Sequence, residues 1–181
     1  MDTNFLGARF TDGQGDVAFR LSAPRATRVE LWIYAAAAGA DPVFTQAMTQ
    51  DATGIYSATL SPSGLKAKGL GATIYYGFRA WGPNWAYDPA WSPGSIAGFA
   101  ADIDLNGDRF NPNKLLLDPY ALEVSLDPLT LSQPNESAYL TGDNFRTIDT
   151  GRFAPKGIVL PIPAYDFGAK PAMLPGRHAG S

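Results

Sequence analysis

Nineteen glycines and fifteen prolines divide this 181-residue chain into short runs, and that punctuation is its strongest constraint. Runs of five to eight residues between turn formers are too short for buried helices, and their apolar positions recur at every second residue, as in strands. In DVAFRLSAP, Val17, Phe19 and Leu21 share one face while Ala18 and Arg20 take the other. In TRVELWIYA, Val29, Leu31 and Ile33 alternate with Glu30, Trp32 and Tyr34. PVFTQAM, GIYSATLS and ATIYYGFRAWG read as further strands, separated by the turn sequences DGQGD, APRA, DATG and SPSG. The expected fold is all-β, an immunoglobulin-like antiparallel β-sandwich over residues 1–125 with a long irregular C-terminal arm. Residues 126–160 read as that extended arm and residues 161–181 as a Pro/Gly-rich linker or tail. Lys66 to Gly69 are expected to close a helical turn. Pro119 to Glu123 are expected to start another, with proline at the first helical position. Leu115 to Leu117 are expected to form a short buried strand.

Composition excludes several functions. Hydrophobic residues at 45% and charged residues at 17% describe a globular chain with a core. A net charge of −3 with no Lys/Arg run gives a phosphate backbone nothing to bind, so nucleic acid is not an expected partner. No cysteine is present, which removes disulfides, thiolate metal sites and thiol nucleophiles. The single histidine, His178, falls in the tail and supports no Ser-His-Asp arrangement. No run of roughly 18 apolar residues exists, so no membrane partner is expected. The amino terminus, MDTNFLGARF, lacks the basic start and apolar stretch of a signal peptide. A cytoplasmic location is expected if that terminus is native, and a secreted parent stays open.

Three stretches resemble a known family. LSAPRATRVELWIY has the form of the strand, Ala-Pro turn and strand that opens the modules of carbohydrate-binding family 48. More specific are YYGFRAWGPNWAYDPAW, then GDRFNPNKLLLDPYALEVSLDP, then GRFAPKGIVL, which resemble the amino-terminal module of bacterial isoamylases and glycogen debranching enzymes. The resemblance runs from about residue 5 to residue 160. It implies a non-catalytic sandwich placed ahead of an α-amylase-type barrel that hydrolyses α-1,6-glucosidic branch points. All catalytic groups of that family lie on the barrel, so none is carried over to this chain. The alternative is a free-standing protein that binds or scaffolds α-glucan such as glycogen or starch.

Glycoside hydrolysis generally needs two carboxyl groups across the scissile bond. Asp88, Asp102, Asp104, Asp108 and Asp118 supply carboxylates but sit in loops where aspartate commonly caps turns. Aromatic side chains carry the stronger signal, because a sugar ring stacks on an indole or phenol. Trp81, Trp85, Tyr87 and Trp91 crowd one segment with Asn84 and Asp88. These rings either bind α-glucan weakly or pack against a barrel or beneath their own loop, and packing is the preferred reading. Trp32 and Tyr34 form a second candidate on the face that also carries Glu30; glucan, a partner domain or the chain's own arm would cover it, the arm most simply. Arg109 and Lys114 either reach a neighbouring domain or pair with Asp108 and Asp118.

DIDLNGD raises the question of calcium. Asp102, Asp104, Asn106 and Gly107 match the first, third, fifth and sixth positions of an EF-hand loop. The twelfth position is Asn113, which lacks the bidentate carboxylate, so a hydrogen-bonded turn is expected. Asp127 in SLDP matches by position an aspartate that the resemblance places in a calcium site shared with the barrel. No cofactor is required by the chain itself, and calcium is expected only together with a barrel.

Overall fold

The computed structural model describes residues 5–11, 15–67, 73–125 and 136–160. Two four-stranded antiparallel sheets face each other, which bears out the all-β sandwich. The first sheet runs in the order β1 (Gly7–Phe10), β2 (Val17–Ser22), β6 (Ile55–Leu60), β5 (Thr49–Gln50). The second runs β4 (Phe44–Ala47), β3 (Arg28–Tyr34), β7 (Ile74–Trp81), β8 (Gly157–Val159).

The period-two runs decide which side chains meet between the sheets. Val17 and Phe19 from β2, Val29, Leu31 and Ile33 from β3, and Tyr76 and Phe78 from β7 are buried in one cluster. Phe19 and Tyr76 meet edge to face with centroids 5.1 Å apart, a favoured aromatic geometry. Each such side chain fully withdrawn from water contributes roughly 1.5–3 kcal/mol.

Several local expectations yield to tertiary contacts. The short helix α1 spans Pro62–Ala67, starting ahead of the expected Lys66; Lys68 and Gly69 lie outside the described residues. Ser61 opens it by accepting the Gly64 N–H at 3.2 Å, with proline at the first helical position. Residues 119–123 form a turn and not a helix. Asp118 Oδ1 accepts the Tyr120 N–H at 2.8 Å, and the Glu123 carbonyl accepts from Ile158 N–H at 2.9 Å, so the segment is drawn into pairing beside β8. Leu115 to Leu117 do not form a buried strand. Leu115 is buried, Leu116 makes one isolated bridge to Phe78, and Leu116 and Leu117 are exposed. β1, β5 and β8 were not among the expected strands; β5 and β8, at two and three residues, are too short to show a period. β8 comes from the segment read as the arm and pairs with β7 from Ile74↔Val159 to Tyr76↔Gly157.

Candidate functional site

The outer face of the second sheet is where the chain's unusual residues collect. Alternation in β3 directs Glu30, Trp32 and Tyr34 away from the core, and the register places Arg79, Gly77 and Tyr75 of β7 opposite them. Yet Trp32 is 7% exposed and Tyr34 fully buried. The cover is this chain itself: Leu115 and Ala154 pack with them in a second buried cluster, joined by Trp91. Gly77 is the seat for Leu115, because a Cβ there would stand 2.8 Å from Leu115 Cγ. Hydrogen bonds tie the covering segments together, Leu115 N–H donating to the Thr150 side-chain Oγ1 at 2.7 Å and Thr150 N–H to the Asn113 carbonyl at 2.9 Å.

Buried cations, Arg79 paired with a carboxylate and two lysines held by backbone carbonyls, hold this cover down. Arg79 is fully buried, its Nη1 2.6 Å from Asp149 Oδ1 and donating to the Pro112 carbonyl at 2.6 Å. Its guanidinium lies 4.0 Å from the Trp32 ring centroid, a cation–π contact made strong by dehydration. Lys156 is likewise buried, donating to the Ala37 and Ala154 carbonyls and standing 4.5 Å from the Tyr34 ring. Burial, helped by the Arg79 cation, pushes its ammonium down to about 8. Burial also raises the Tyr34 hydroxyl to about 12. Lys114 pairs with neither Asp108 nor Asp118; its ammonium donates to the carbonyls of Ala138, Phe145 and Ile148 at 2.6–2.9 Å, and burial pushes it down to about 8. Asp108 instead meets Arg25 at 2.8 Å, and Asp118 accepts from Tyr76 Oη at 2.7 Å.

The aromatic candidates separate. Trp81 meets Tyr87 and Trp91 edge to face at 5.4 and 5.1 Å, and Trp91 meets Trp32 at 6.2 Å, so these four form one ladder continuing toward Tyr34. Trp85 stands apart, buried against Phe99 at 4.9 Å with its indole N–H donated to the Ala97 carbonyl. Trp81 and Trp85 are buried, Trp91 is partly buried, and Tyr87 is 40% exposed with the Arg28 guanidinium 3.8 Å from its centroid. The ladder is therefore mostly internal, and Tyr87 is its solvent end.

DIDLNGD is a closed turn. Asp104 Oδ1 accepts the Asn106 and Asp108 N–H groups at 2.8 and 2.9 Å, and Gly107 takes φ +81°. Its carboxylates diverge to separate partners: Asp102 is bound by Arg146 at 2.5 Å, which holds it below the usual carboxylate range, and Asp108 by Arg25. They do not fit calcium's shell of six to eight oxygens. No group of three or more His, Cys, Asp or Glu side chains is gathered as for a metal among the described residues. Asp127 lies outside those residues. Arg79, Asp149 and Lys156, which organise the covered face, escaped sequence reasoning. The available signal was an arginine inside the otherwise apolar run IYYGFRAW, since a cation in a strand buried on both faces demands a partner.

Fold and site together define a β-sandwich module whose outer face is sealed by its own polypeptide. The chain is 46% identical over 166 residues to an isoamylase from Pseudomonas amyloderamosa, covering 92% of this chain and 21% of that enzyme. It is 47% identical over 173 residues to an isoamylase from Flavobacterium sp., covering 94% and 22% respectively. The chain thus spans about a fifth of the length of the isoamylases it matches and is homologous to that part of them. Among solved structures, the product complex of a multi-modular glycogen-degrading pneumococcal virulence factor, SpuA, shares the fold at 18% identity, with a TM-score of 0.50 over 86% of this chain and 12% of that one. No family model matches the chain.

Proposed function

We propose that this chain is the non-catalytic, amino-terminal family-48-type module of an isoamylase-type debranching enzyme, serving chiefly to dock on the barrel that cleaves α-1,6-glucosidic branch points. The observation that carries this reading is the homology at 46–47% identity across more than nine-tenths of the chain. The site supports it in two ways. The carboxylates considered for hydrolysis are engaged elsewhere: Asp88 and Asp104 cap their own turns, Asp102 shares Arg146 with Asp143, Asp108 meets Arg25, and Asp118 accepts from Tyr76. The aromatic ladder is largely buried, which leaves α-glucan at most a weak contact around Tyr87. Calcium enters this reading only with the barrel, through Asp127.

Grafting the chain in place of the matched 166 residues of the Pseudomonas enzyme tests the proposal. The graft is expected to debranch glycogen, and the chain alone to release no reducing ends from glycogen or pullulan. Reducing ends released by the pure chain, and lost on changing one of its aspartates, would make it an enzyme in its own right.

A further inference from the structure

Residues 116–124 do something that the sandwich does not need. Leu116 exchanges backbone bonds with Phe78 of β7 at 2.8 and 2.9 Å, in line with the lane that β8 occupies beside β7. Eight residues later Val124 bridges Gly157 on the other side of β8, flanked by bonds from Ile158 N–H to the Glu123 carbonyl and from Ser125 N–H to the Lys156 carbonyl, both 2.9 Å. Between these anchors the chain wraps the open edge of the sandwich and reaches the first sheet, where a Cβ on Gly7 would stand 3.1 Å from Tyr120. Buried Asp118 pins the middle, binding Tyr76 Oη and capping Tyr120 N–H.

This firmly held backbone turns its apolar side chains outward. Leu116, Leu117, Tyr120, Leu122 and Val124 are 38–68% exposed, and the only charged side chains among residues 115–124 are Glu123 and the buried Asp118. At the Leu116 end the strip meets a groove of about 420 Å³ lined by Phe110 and Tyr139 and by the polar Asp108, Arg109, Asn111 and Lys114, which bounds the apolar surface on that side. Single exposed apolar residues are ordinary, but five in nine residues on a pinned segment make a preorganised apolar surface.

We infer that this strip, Leu116 to Val124, is the surface by which the module docks on the catalytic part of its enzyme, against a complementary apolar patch. The inference rests on the module reading and names the face that reading leaves open. Two observations select the occupant. The match takes up only 21–22% of the isoamylases' length, so most of such an enzyme is available as partner. The last described strand, β8, also lies along this same edge, with Ile158 N–H donating to the Glu123 carbonyl of the strip. A strip of four exposed aliphatic side chains with Tyr120 suits an apolar protein patch more than a sugar, whose hydroxyls would find only Tyr120 Oη and Glu123 among its side chains.

The graft described above supplies the test, read by calorimetry. With the unsubstituted chain it is expected to unfold in one transition. Leu117→Asp with Leu122→Asp is expected to split that into two, Leu117→Met with Leu122→Met to keep one, and the isolated chain to keep its Tm with either pair. A single, unshifted transition for the aspartate graft overturns the assigned surface and leaves the module reading standing. An inactive unsubstituted graft that already unfolds in two transitions removes the reading, and the surface with it. A lowered Tm of the isolated aspartate variant would mean that another segment of this chain covers the strip, and loss of a concentration-dependent dimer would assign it to a second copy; either overturns the inference.

Discussion

Asp149→Ala addresses the contact that holds the cover on the second sheet. The Arg79–Asp149 separation of 2.6 Å corresponds to a gross attraction of about 6 kcal/mol at an effective dielectric of about 20. Desolvation of the two charges offsets much of this, but removing one partner leaves Arg79 buried with its charge unanswered, which typically costs about 3–5 kcal/mol. Two features bear on where in that range the loss falls. The Asp149 side chain is 23% exposed overall, although the Oδ1 facing Arg79 is buried; against that, Lys156 sits close enough for its charge to feel both Arg79 and Asp149, leaving two cations facing one another. A loss of about 3 kcal/mol is expected, a large share of the roughly 5–15 kcal/mol of a typical domain. Urea unfolding followed by tryptophan fluorescence measures it, since Trp32 and Trp91 lie against the Arg79 guanidinium. Arg79→Met combined with Asp149→Ala is expected to cost less than the sum of the single changes by about 1–3 kcal/mol. A loss under about 0.5 kcal/mol for Asp149→Ala, or strict additivity in the cycle, would refute the view that this pair clamps the cover.

Two glycines with left-handed backbones should respond differently. A Cβ on Gly98, at φ +77°, would meet the Ala86 carbonyl oxygen at 1.9 Å, whereas Gly107, at φ +81°, has nothing within 4 Å. Gly98→Ala is expected to cost at least about 3 kcal/mol and Gly107→Ala about 1 kcal/mol in the same urea assay, and the reverse order would contradict the packing described. Stability should rise with pH from about 8 toward 10. Lys114 and Lys156 are held down to about 8 when folded against about 10.4 unfolded, so in that window the unfolded chain binds more protons and unfolding takes them up. Below about 8 both states are protonated and the folded state bears the full penalty of burying the charge; above about 10 the raised Tyr34 reverses the trend, because the unfolded tyrosine ionises first. A gain of about 1–3 kcal/mol between pH 8 and 10, reduced by Lys156→Met, is expected from chemical denaturation at each pH; a flat or falling profile contradicts it. Asp104→Ala should cost about 1 kcal/mol by releasing the Asn106 and Asp108 N–H groups, and calorimetry should find no calcium site tighter than about millimolar in either protein. Micromolar binding abolished by this substitution would restore the metal-loop reading of DIDLNGD.

What the sequence determined by itself was local. Alternation put Val17, Phe19, Val29, Leu31 and Ile33 on one side of their strands, because side chains of a pleated strand point to opposite faces whatever it pairs with, and the structure buries all five. Asp104 two residues ahead of Asn106 similarly reads as a turn, since the bonds that close it span two to four residues. The tertiary structure decided everything that depends on partners distant in sequence. Trp32 alternates as an outward residue, yet it is buried because Leu115 and Ala154 arrive from more than 80 residues away. Pro119 to Glu123 carry a fair helix start, but Tyr76, 42 residues upstream, holds Asp118, and Ile158 captures the Glu123 carbonyl. Leu115, Leu116 and Leu117 are one residue type in one run, and only the first is buried, because Gly77 leaves room for a single side chain there. No period within a run records which remote glycine, carbonyl or arginine will stand opposite it. The seal over the second sheet and the apolar strip along its edge follow from those long-range meetings.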